Sequence, residues 1–279
     1  MAFTPRTETY INVSSLTTPF DASVTMPTGT VQGDIMFQFW CWNAAVTIDS
    51  VPSGWTLVGQ NIANTDRYAL YFKIAGASEA GPYTWSWSET AKVRGVCSVY
   101  TAGNFNVTTG VLTDLTISNT QYRTSNGNVR AAALNVPNAN SPLLFFGGVY
   151  SANASRSTAK PTTPTTGWVE NDDSWNTTSD FQWTVCSYIW SGSGDTGIMD
   201  AVLDASNVAT TKHAFAVALK PSAQAQTYTI TTGADALLNK ADQTKATGLD
   251  AALNKTDQTK TTGLDAYKQQ TKYIYIGTP

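Results

Sequence analysis

Through the first 221 residues, apolar side chains recur at every second position, in short runs cut by Gly, Pro, Asn and Ser clusters. That period of two, with regular turn signals, is the pattern of strands. "GDIMFQFWCW" (33–42) sets Ile35, Phe37, Phe39 and Cys41 on one face and Met36, Gln38, Trp40 and Trp42 on the other. Both faces carry large apolar groups, which predicts a central strand covered on two sides. Further strands are expected over 67–75, 82–89, 93–100, 129–136, 142–150, 181–190, 197–204 and 212–220, and no stretch has convincing helical periodicity. The expectation is an all-β domain, a two-sheet antiparallel β-sandwich or jelly roll. Phe37, Phe39, Phe72, Val99, Val185, Phe215 and Val217 are expected on its inner faces.

The domain repeats itself loosely. "VPSGWTLV" (51–58) is echoed by "PTTGWVEN" (164–171), a Pro-led turn delivering a Gly-Trp pair. An aromatic strand and a Gly/Ser-rich turn ("AGASEAGPY" or "SGSGDTG") follow each. Each half then closes on a small-residue strand, "VRGVCSVY" or "KHAFAVALK". Neither half shows enough strands to shield two faces, so 1–221 reads as one sandwich with a shared core.

The pattern changes at residue 222. All nine Trp, all ten Phe and all three Cys precede it. Beyond it a fifteen-residue unit recurs, with Gly233, Gly248 and Gly263 at equivalent points and Asp235, Asp250 and Asp265 two residues on. In each unit a Thr precedes the Asp by three, the spacing of a helix N-cap with an acid at the third helical position. Two turns at most can follow before "ADQTK" or "TDQTK", too few for a helix stable alone. Residues 222–279 therefore read either as disordered or as a tail that orders on a partner. Leu237, Leu238, Leu249, Leu253 and Leu264 are its aliphatic anchors, and "TYTIT" (227–231) and "YIYI" (273–276, with Tyr273 and Tyr275) favour strand pairing. Repeated weak contacts act multivalently, which suits attachment to a repeating surface or to sister subunits.

Charge is low and nearly balanced, 17 Lys/Arg against 20 Asp/Glu. A nucleic-acid binder would show a basic face, so none is expected. No basic start with an apolar stretch opens the chain and no run approaches spanning length, so neither a secretory leader nor membrane insertion is expected. Cys41, Cys97 and Cys186 are widely spaced inside apolar segments with no C-x-x-C, and the reading is buried free thiols, the alternative being a disulfide pair or a metal site. His213 is the lone histidine. It shares a strand face with Phe215, Val217 and Leu219 and reads as packed or solvated. With no G-x-S-x-G, no phosphate loop and no spaced calcium ligands, the expectation is no catalysis, no metal and no cofactor. The acids of "ENDDSWNTTSD" (170–180) read as a solvated loop, and Trp175 within it is the best candidate for an exposed aromatic contact. Tyr83, Trp85 and Trp87 share one strand face and read as core, the alternative being a platform for sugar rings.

The run "GDIMFQFW…VPSGWTLV…YALYFKIAGASEAGPYTWSW…VRGVCSVYTAGN", closing with "HAFAVALKP", resembles a β-sandwich family encoded in tailed-phage and prophage genomes. Its most specific pieces are the P-x-G-W-T-L turn and the Y-x-K-x-A-G-A-S-E hairpin, and the tail resembles T-K-T-T-G-L-D-A repeats of similar phage proteins. The resemblance implies a non-enzymatic virion component, for capsid decoration or the tail, made in the host cytoplasm. Other virion proteins and copies of the same chain would be its partners. A carbohydrate-binding adhesin that recognises a host-surface glycan is the alternative.

Overall fold

A computed structural model describes residues 5–14, 20–62, 65–89, 91–101, 115–117, 128–150, 158–162, 167–175, 181–203 and 211–221. The chain divides into units Met1–Ala223 and Gln224–Pro279, and every described residue belongs to the first. The described residues form strands and no helix.

Eight strands lie in the first half: β1 (Pro5–Ser14), β2 (Phe20–Val24), β3 (Ile35–Asn43), β4 (Ile48–Ser50), β5 (Thr56–Asn61), β6 (Asp66–Ile74), β7 (Tyr83–Trp87) and β8 (Lys92–Tyr100). They build a five-stranded sheet ordered β1-β8-β3-β6-β5 and a three-stranded sheet ordered β2-β7-β4, all pairs antiparallel. The second half holds β9 (Leu115–Ile117), β10 (Val129–Ala131), β11 (Asn135–Val136), β12 (Ser141–Tyr150), β13 (Thr158–Pro161), β14 (Val169–Trp175), β15 (Phe181–Trp190), β16 (Gly194–Asp195), β17 (Met199–Leu203) and β18 (Thr211–Leu219). Its sheets run β14-β15-β12-β18-β9 and β10-β17-β13, with a small β11-β16 ribbon between neighbouring loops. Strand for strand the order is the same. β1, β8, β3, β6 and β5 correspond to β9, β18, β12, β15 and β14, and β2, β7 and β4 to β10, β17 and β13.

Each half is therefore a two-sheet sandwich of jelly-roll character, and the described part of the chain is that sandwich twice. The expectation that neither half could shield two faces is corrected here. It missed the short strands that close each outer sheet, such as "FDASV" (β2), where Phe20, Ala22 and Val24 are buried and Asp21 and Ser23 exposed.

Three cores result. Met36, Trp40, Trp42, Trp55, Tyr83, Trp85 and Trp87 pack between the two sheets of the first half. Leu143, Phe145, Trp168, Cys186 and Met199 do so in the second. The third core lies where the two five-stranded sheets meet face to face. It takes Phe37, Phe39, Leu70, Phe72 and Val96 from one half and Leu144, Phe146, Trp183, Val185, Phe215 and Val217 from the other. The two faces read from "GDIMFQFWCW" are thus both buried, each in a different core. Val99 is buried but belongs to the outer core of the first half, not with Phe37 and Phe39. It pairs with Met36 across β8 and β3, and antiparallel partners share a face.

Two stretches depart from the expected elements. The 129–136 strand is split into β10 and β11. Residues 169–175, expected as part of a solvated acidic loop, form β14, paired with β15 at the margin of its sheet. An edge strand has one unpaired side, where charged side chains stay in water and discourage unwanted pairing. Glu170, Asp172 and Asp173, which suggested a loop, belong to an edge strand.

Candidate functional site

The two specific sequence signatures fold onto one another. Trp55 follows the turn at Ser53 and Gly54, where Gly54 takes φ +83°, a conformation that a side chain would strain. Lys73, near the end of β6, lies over this turn. Its Nζ donates to Ser53 O at 3.3 Å, and a Cβ on Gly54 would stand 3.0 Å from Lys73 Cε. The same ammonium meets Glu79 Oε1 at 2.7 Å and sits 5.2 Å from the Tyr83 ring centre. Glu79 completes the clasp: its other oxygen accepts from the Gly76 amide at 2.9 Å, and Tyr83 OH donates to Oε1 at 2.8 Å. Trp55 then meets Tyr83 and Trp85 edge-on, with ring centres 5.3 and 5.6 Å away.

Charge here is tuned by enclosure. Burial would raise the Glu79 carboxyl, but the Gly76 amide, Lys73 and Tyr83 outweigh it and hold it below the usual carboxylate range. Burial, then the neighbouring Glu79 carboxylate, pushes the Tyr83 phenol far up, so it stays a donor. The clasp thus joins the β4–β5 turn, the end of β6 and the start of β7 through the Lys73 ammonium, the Glu79 carboxylate, the Tyr83 phenol and the Gly76 amide.

A second polar constellation spans the halves. Tyr68 stacks on His213 with ring centres 5.2 Å apart, and Tyr68 OH donates to Thr211 O at 3.1 Å. The Asn61 amide donates to His213 Nδ1 at 3.4 Å. Burial pushes His213 down to about 3, so the ring is neutral at ordinary pH. Arg94, only 2% exposed, lies 3.7 Å from the Trp183 ring centre and donates to Phe181 O. Elsewhere along the interface Ser98 donates to Glu8 at 2.8 Å, Asn171 to Tyr100 OH at 3.1 Å, and Ser187 to Asn171 at 3.1 Å. Sequence reasoning placed His213 in a packed strand and missed Arg94. Arg94 shares a strand face with Val96, as His213 does with Phe215.

Tyr83, Trp85 and Trp87 are core, so their strand face is no platform for sugar rings. Cys41, Cys97 and Cys186 are free and buried. Burial raises the Cys41 and Cys97 thiols well above their ordinary values, which keeps them protonated and unreactive. No group of three or more metal-ligating side chains comes together among the described residues. Trp175 ends β14 opposite Gln182, and its side chain lies outside the described residues. So do Leu237, Leu238, Leu249, Leu253, Leu264, Tyr273 and Tyr275. Among the described residues no helix is long and apolar enough to cross a membrane.

Comparison with known proteins gives no match: no family model fits the chain, and no curated protein or solved structure is detectably similar to it.

Proposed function

We propose that the chain is a non-enzymatic structural component of a tailed-phage virion, a decoration or tail protein whose repeat segment, 222–279, attaches it to the particle or to sister subunits. The observation that carries this reading is the clasp. Among the residues through which the sequence resembles phage β-sandwich proteins, Lys73 pairs with Glu79 and bonds the Ser53 carbonyl beside Gly54, while Trp55 packs on Tyr83, which bonds Glu79. Residues engaged in this way serve architecture, which suits a scaffold that presents surfaces. The chain's single histidine is held neutral inside the half–half interface and its thiols are buried, so these groups serve packing.

The fifteen-residue repeat supports the attachment role. A unit with few Leu anchors buries little surface, and the entropy of ordering it makes each contact weak. Units in series gain from high effective concentration once one has docked, which favours a partner that also repeats. The test is direct. Particles from a host that carries this gene are purified by density gradient, and the chain is quantified by mass spectrometry and located by antibody-gold labelling. Stoichiometric, symmetric labelling supports the proposal; absence from intact particles refutes it.

A further inference from the structure

The two halves offer a comparison within one molecule, because β5 and β14 are the same edge of the same sheet. Thr56 pairs with Phe72 as Val169 pairs with Ser187, and both strands carry a register shift at the same point, Leu57/Gly59 and Glu170/Asp172. Leu57 and Glu170 are therefore equivalent positions. β14 continues with acids, Glu170, Asp172 and Asp173 after one exposed Val169. β5 carries none: from Val51 to Ile62 the chain has no charged residue. It instead exposes Val51 (36%), Leu57 (36%) and Ile62 (37%), three of the six large apolar side chains exposed among the described residues. Natural edges are guarded by charge, and of these two equivalent edges one carries acids in its sequence while the other carries no charge.

We infer that β5 is an interaction edge, and that its partner is β5 of a second copy of this chain, paired antiparallel about a two-fold axis. An uncharged, apolar edge is self-compatible, since no like charges meet when it faces itself, whereas β14 against β14 would set acid against acid. Pairing would join two five-stranded sheets into one continuous sheet across two molecules and cover Leu57 and Ile62. A single short ladder buries less than a standard interface, so the pairing is weak alone and effective where copies are held close together. This inference does not rest on the virion reading.

The test is amide hydrogen exchange on the full chain over a hundredfold range of concentration, with the melting transition recorded for each variant. Residues 56–62 gain protection as concentration rises and 169–175 do not. Leu57→Glu, which copies the acid of the equivalent edge, abolishes that gain with an unchanged melting transition; Gln60→Lys serves as a second, independent charge on the same edge. A gain in protection at 56–62 that survives both charged variants would mean that another segment covers the edge, and concentration-independent exchange at 56–62 would mean that nothing does. Either result overturns the inference.

Discussion

Tyr68 and Trp183 occupy the same position in the two halves, and each lies against the other half's equivalent residue, Tyr68 on His213 and Trp183 on Arg94. The equivalence follows from register. Phe39 pairs with Leu70 and Val96, Phe146 with Val185 and Phe215, and two residues back along each neighbouring strand stand Tyr68 and Arg94, Trp183 and His213. An aromatic ring on a cationic or imidazole partner thus recurs about an approximate two-fold. The face-to-face packing of the sheets is built into matched positions on both sides.

Close approach at this interface depends on Gly148. A Cβ there would stand 2.6 Å from Tyr68 Cε1 and 3.0 Å from Phe39 Cζ, both ring atoms held in a packed core. Gly148→Ala should therefore destabilise the protein by about 1–3 kcal/mol through overpacking. Gly192→Ala, where the nearest atom would be 3.4 Å away, should change stability little. Urea unfolding of both variants checks this.

His213 predicts a pH dependence. Its folded-state value, about 3, lies below the ordinary 6.5. The unfolded chain therefore binds the extra proton first, and stability is lost as pH falls below about 6.5. The loss is about 1.4 kcal/mol per pH unit until pH nears 3. Between pH 5 and 6.5 the carboxylates, among them Asp66 with its value raised by burial, are common to the wild type and a His213 variant, so the difference between the two isolates the histidine. His213→Phe should flatten the slope of unfolding free energy against pH there by about one proton. An unchanged slope would mean that the ring is solvated.

The clasp should be energetically coupled. Lys73→Ala removes the ammonium from Ser53 O and Glu79, and Glu79→Ala frees the Gly76 amide and Tyr83 OH. Each variant should cost about 1–2 kcal/mol. The double mutant should cost less than the sum, with a coupling of about 0.5–2 kcal/mol, because the pair is mostly enclosed. Additive losses from thermal or urea melts would show that the two signatures are independent.

Much of the fold was legible because the large strands announce themselves. β3, with both faces apolar, could only be central, and the Gly-Trp echo does mark equivalent turns, since Trp55 and Trp168 each enter the outer core of their half. What stayed hidden was carried by weak patterns. β2 and β5 are short, small or polar, so each half seemed to lack strands. β14 hid behind acids that suit an edge as well as a loop. Val99 was assigned to the wrong core because both faces of β8 carry apolar residues, Val93, Cys97 and Val99 on one and Val96 and Tyr100 on the other. Arg94 and His213 look like ordinary strand residues until two sheets meet over them. Spacing within one strand carries no information about which sheet it will face.

The attachment role proposed for the repeats is tested most directly by a chain ending at residue 221, compared with the full chain for its melting transition and for its incorporation into particles. The account predicts the same melting transition for the sandwich and loss of the truncated chain from purified particles. Removal of one repeat, 248–262, should weaken incorporation by more than its proportional share. Full incorporation of the chain ending at 221 would contradict the account.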